Sequence, residues 1–143
     1  MFGSKKLTFQ IKDPMRVICR IEGSNNRARE LTALLDFNAT HTLMFAHDAI
    51  YLGYSDVANR AREWIELFPE KTPYLISFRG VERAIMIRLK RVSIGPLAAE
   101  DVTAVSLEAE PSLMLPCDVV LGRSFLNNFK VTYDGKAKSL SIS

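Results

Sequence analysis

Alternation of apolar and polar positions runs through most of the chain. In KLTFQI, Leu7, Phe9 and Ile11 fall on one face, and in RVICRIEG so do Val17, Cys19 and Ile21. A polar turn, EGSNNRA, separates the latter from ELTALLDF, so the two segments read as an antiparallel hairpin. PYLISFRGVERAIMIRLKRVSIG reads as a second hairpin, with arms at 75–78 and 84–89 and a turn near Arg79-Gly80. VTAVSLEA and CDVVLG supply further strands, SFLNNF a short helix, and KVTYDGKAKSLSIS two strands around Asp134-Gly135.

One segment has another period. In SDVANRAREWIELF, Val57, Ala61, Trp64, Ile65 and Phe68 form a helical stripe. Ser55 suits its N-cap and Pro69 its end. The pattern predicts one all-β domain over 1–143, with one or two short helices, after Gly122 and around 55–68. No internal repeat or linker divides it.

Composition changes this picture little. Of the 143 residues, 48% are hydrophobic and 24% charged, which suits a folded globular domain. No apolar run approaches the ~20 residues that span a bilayer, and MFGSKKLTFQ lacks a secretion signal's longer apolar core. A cytoplasmic protein without a membrane partner is expected. The formal net charge of +3 does not require nucleic acid. Arg88 and Lys90 share a face opposite Ile87 and Leu89, as on a half-solvated strand, and aromatic interleaving is absent.

The candidate chemistry narrows quickly. Cys19 and Cys117 belong to no C-x-x-C pair and read as two buried thiols. His41, His47 and Asp48 match no familiar zinc spacing, so no metal and no cofactor is expected. There is no G-x-S-x-G, and Ser124 in GRSFL reads as a helix cap. Asp36 stands apart. It ends an apolar strand in LLDFNATHTLMF, where a lone carboxylate is costly to desolvate. Such an acid suits general acid–base work, or else it caps its own turn through nearby amides.

LLDFNATHTLM resembles the active-site loop of retropepsin-like aspartic peptidases, in which strand hydrophobics precede D-[T/S]-G-A and then Thr or Ser. VVLGRSFLNNFKVTYDGKAKSLSI resembles that family's second signature: an apolar strand ending in Leu-Gly, a helix with Phe-Leu, then Phe-x-Val-x-x-Asp and an alternating strand. The resemblance covers about residues 15–142 and implies a closed acid-protease barrel. Residues 55–68 become a helical insertion between the acid loop and a flap hairpin.

The resemblance also implies a chemistry. Two aspartates, one from each half of a two-fold site, share a proton and activate water against a peptide bond. Asp118 precedes its strand and Asp134 lies at a hairpin turn, so only Asp36 fits the role. The chain would therefore act as a homodimer on a peptide or protein substrate, with Asp36 catalytic and Phe37, Asn38, Ala39 and Thr40 completing the acid loop. Arg79, Gly80 and Val81 would form the substrate-covering flap, and Gly122 a structural turn. Leu7, Phe9, Ile11, Leu140 and Ile142 are the implied dimer contacts.

The loop departs from the family pattern at two positions. Phe37 replaces a hydroxyl that bonds across the dimer axis, and Asn38 replaces a glycine, where a left-handed backbone is expected. Two readings follow: an aspartic endopeptidase, or a catalytically inactive dimeric module of the same fold that binds peptide or serves as a scaffold.

Overall fold

The computed structural model describes residues 5–12, 15–54, 74–77, 80–107 and 117–143, with backbone alone at 74–77, 80–85 and 107. The helix expected at 55–68 lies outside the described residues, as does Arg79. Ten strands are described: β1 (Leu7–Gln10), β2 (Arg16–Glu22), β3 (Ala28–Leu35), β4 (Thr42–Phe45), β5 (Tyr74–Ser77), β6 (Gly80–Ile94), β7 (Leu97–Leu107), β8 (Val119–Leu121), β9 (Val131–Asp134) and β10 (Ser139–Ile142). Two short helices accompany them, α1 (Ala46–Tyr51) and α2 (Arg123–Leu126).

The larger sheet runs β2-β3-β8-β4-β7-β6-β5. Three further pairs between β2 and β6, Arg20↔Ser93, Ile21↔Val92 and Glu22↔Arg91, close the first six of these strands into a barrel. The all-β domain expected from the alternation and the closed barrel implied by the resemblance are therefore both present. Closure requires the long β6–β7 hairpin to serve two walls. In β6 the buried positions shift from Ile87 and Leu89 to Val92 and Ile94, with Lys90 and Arg91 both exposed between them. Directly opposite, β7 shifts from Leu97 and Ala99 to Val102 and Ala104 across exposed Glu100 and Asp101. Asp101 has φ +54°, a left-handed conformation that Asp tolerates better than most residues. This paired kink turns the hairpin without changing its register.

The largest fully buried side chains include Phe45, Phe125, Met44, Leu121, Leu89 and Ile142. Burial of each contributes roughly 1.5–3 kcal/mol relative to exposure. Cys19 and Cys117 are both buried and free. Cys19 pairs with Leu31 on β3, and the β3–β8 register carries Cys117 to the far side of that strand. Two strand spacings put their Cα atoms about 10 Å apart, beyond the ~7 Å limit for a disulfide.

A second sheet, β1-β10-β9, packs the terminal strands. Here two of the expected dimer contacts, Leu140 and Ile142, are corrected. Ile142 (0% exposed) and Leu140 (8%) face the chain's own core, and Leu7 and Phe9 pack against it. Ile11 falls outside β1 and is exposed. The apolar face of the terminal strands thus covers this barrel, and Val131 and Tyr133 on β9 remain exposed instead. Helix α1 has no counterpart in the sequence reading, because one turn and a half is too short to show a period. Buried Asp48 anchors it through an ion pair with Arg29, Nη1 to Oδ1 2.7 Å. His47 Nε2 lies 3.2 Å from the other oxygen, Oδ2. No described helix is long and apolar enough to cross a membrane.

Candidate active site

Strand β3 ends at Leu35 after the apolar run Ala33, Leu34 and Leu35, so Asp36 stands where the chain must leave the sheet. The strand order β3-β8-β4 explains the path. Residues 36–41 cross the end of β8 and re-enter as β4 on its other side. Because β3 and β8 are parallel, with Leu35 beside Leu121, both strands finish together at this crossing. The acid loop consequently meets Gly122 and the first turn of α2.

Asp36 is half-buried. Its amide donates to the Leu121 carbonyl at 3.0 Å, and its own carbonyl accepts from Ala39 N at 3.3 Å. Oδ1 accepts from Asn38 N at 2.9 Å. The carboxylate therefore does bond its own turn, which fixes one oxygen in direction. Among the described residues no further donor reaches Oδ2, leaving that oxygen for another group. Asn38 is exposed and is not among the residues with positive φ, so the left-handed backbone expected there does not occur. Phe37 is 37% exposed in the single chain.

The rest of the loop is clamped from α2. The amides of Arg123 and Ser124 donate to the carbonyls of Ala39 (2.8 Å) and Thr40 (3.1 Å). Arg123 Nη2 donates to Thr40 Oγ1 at 2.9 Å. Thr42, fully buried, donates its amide to Ser124 Oγ at 3.0 Å, and Ser124 Oγ donates back to Thr42 Oγ1 at 2.9 Å. That hydroxyl oxygen also accepts from Gly122 N at 3.3 Å. Ser124 does not cap α2 as expected; the N-cap is Gly122, with no side-chain bond. A Cβ on Gly122 would lie 2.3 Å from the His41 carbonyl oxygen and 2.7 Å from that of Ala39, so only glycine admits this approach.

Other sequence candidates lie elsewhere. Gly80 and Val81 begin β6, paired with Ser77 and Ile76 across a two-residue connection. Among the described residues no three His, Cys, Asp or Glu side chains gather where they could hold a metal ion. Asp118 is engaged by the Thr32 amide at 3.0 Å. The contribution of Thr42, Arg123 and Ser124 was not foreseen from sequence. The only available signal was the hydroxyl spacing of Thr40 and Thr42 ahead of a Leu-Gly-Arg-Ser run.

Comparison with known proteins returns no matching family model. No curated protein matches either. Solved structures do. A retropepsin-like aspartic protease from Rickettsia conorii superposes with a TM-score of 0.62 at 17% identity, covering 97% of this chain and 99% of that one. The retroviral protease-like domain of Ddi1 from Leishmania major gives 0.52 at 16%, over 91% of this chain and 88% of that one. EIAV protease complexed with the inhibitor HBY-793 gives 0.51 at 12%, over 85% and 93%. The chain has a retropepsin-like fold.

Proposed function

We propose that this protein is a homodimeric aspartic endopeptidase in which Asp36 of each chain supplies half of the dyad. The observation that carries the reading is the Asp36 loop: a half-buried carboxylate at a strand crossing, one oxygen tied to Asn38 N, within a retropepsin-like fold. Across a two-fold axis the two carboxylates share a proton, one acting as base toward water and the other as acid toward the peptide carbonyl. The β5–β6 hairpin, with Gly80 and Val81 opening β6, would cover an extended peptide bound as an added strand.

A non-catalytic dimeric module is the second reading, favoured by Phe37, which offers no hydroxyl to bond across the axis and keeps its ring exposed. Assay of the wild type, Asp36→Asn and the double variant Phe37→Thr with Asn38→Gly on a peptide library at mildly acidic pH separates the two. The endopeptidase reading expects cleavage by the wild type, loss with Asp36→Asn, and more activity in the double variant. Silence of both the wild type and the double variant, each folded and dimeric by sedimentation, establishes the binding module. A strictly monomeric wild type at high micromolar concentration ends both.

A further inference from the structure

We propose that Ser124, with Arg123, is a positioning residue for Asp36: a latch within one chain that sets the direction of the carboxylate before any partner arrives. This rests on the endopeptidase reading for its catalytic consequence, but the latch itself belongs to the single chain. In an acid loop without a hydroxyl after the aspartate, something other than a bond across the axis must hold the loop. The structure supplies it. Ser124 and Thr42 make a reciprocal pair, amide to hydroxyl at 3.0 Å and hydroxyl to hydroxyl at 2.9 Å, at a fully buried threonine. Arg123 Nη2 holds Thr40 Oγ1, while the amides of both α2 residues take the carbonyls of Ala39 and Thr40.

Ala39, Thr40 and Thr42 are thus each held by hydrogen bonds to α2, and the lack of a Cβ at Gly122 lets the His41 carbonyl lie close on the same side. The other end of the loop is fixed by Asp36 N on Leu121 O. Between these anchors only Phe37 and Asn38 are exposed, and Asn38 N is the donor that orients Oδ1. Loosening residues 39–42 therefore reaches the carboxylate through a turn of two residues. Ser124 touches neither water nor substrate in this scheme; it acts through the loop.

The test is amide hydrogen exchange on the wild type, Ser124→Ala, Ser124→Thr and Arg123→Met. Ser124→Ala should accelerate exchange at Thr42 and also at Asn38 by roughly 3–10-fold, while Val120 and Leu121 stay protected. Ser124→Thr, which keeps the hydroxyl, should restore both amides. Arg123→Met, at an exposed side chain, should loosen Asn38 and spare the fold should Ser124→Ala fail to fold. In the active dimer the same Ser124→Ala change should lower kcat with KM unchanged. Faster exchange confined to Thr42, with Asn38 unaltered in both Ser124→Ala and Arg123→Met, overturns the latch. A wild type without peptidase activity overturns the endopeptidase reading and leaves the exchange result standing by itself.

Discussion

Asn38 shows how a residue standing where glycine was expected can still bond the acid without the left-handed backbone. Its amide reaches Asp36 Oδ1 with ordinary backbone, so the conformational freedom of glycine is not needed there. Glycine is needed at Gly122, where the loop carbonyls of Ala39 and His41 close in. Gly122→Ala should force those carbonyls away and cost roughly 1–3 kcal/mol, as overpacking does, read as a lower urea midpoint with an unchanged slope. The acid itself was legible in sequence, because a carboxylate after Leu34 and Leu35 needs a reason. Its supporting hydroxyls were not, since Thr42 and Ser124 stand 82 residues apart and only the crossing of β8 brings them together.

Strands announce themselves by alternation, and here they did so wherever one face meets the core and the other meets water. The β2–β3 hairpin was legible for that reason, whereas β8, buried at all three positions, was legible as an apolar run ending in Leu-Gly. The β6–β7 kink was not: side chains of both neighbouring parities are buried on either side of it, and the left-handed Asp101 is set by barrel closure rather than by local preference. Helix α1 was hidden by its length. It depends on tertiary anchoring, chiefly the Arg29–Asp48 pair. Arg29→Ala should leave the Asp48 carboxylate buried with only His47 near it. Because Arg29 keeps 37% of its side chain exposed, the loss should be about 2–3 kcal/mol, below the roughly 3–5 kcal/mol for a fully buried pair. Thermal unfolding checks this, and Asp48→Asn, which removes the stranded charge, should be milder than Arg29→Ala.

The whole barrel governs how its thiols behave. Burial pushes Cys19 from an ordinary 9.0 up to about 12, and burial likewise raises Cys117. Both should resist alkylation at about pH 8 until the chain unfolds. The sign of the linkage follows: the folded state holds the thiol proton more tightly, so this contribution is complete below pH 9 and is lost as pH rises toward about 12. Urea midpoints at about pH 8 and about pH 10 should therefore fall less for Cys19→Ala than for the wild type. The terminal sheet carries a different consequence. Leu7 pairs with Ile142 and Gln10 with Ser139, so β1 finds its neighbour only in the last residues described. During synthesis, Leu7 and Phe9 must wait exposed while more than a hundred residues emerge, because the strand that seats them has not yet been made. Closing so long a loop is slow for entropic reasons. Completion of this core thus waits until β10 has been made, and the interval before it is when the exposed apolar face of β1 most needs a chaperone.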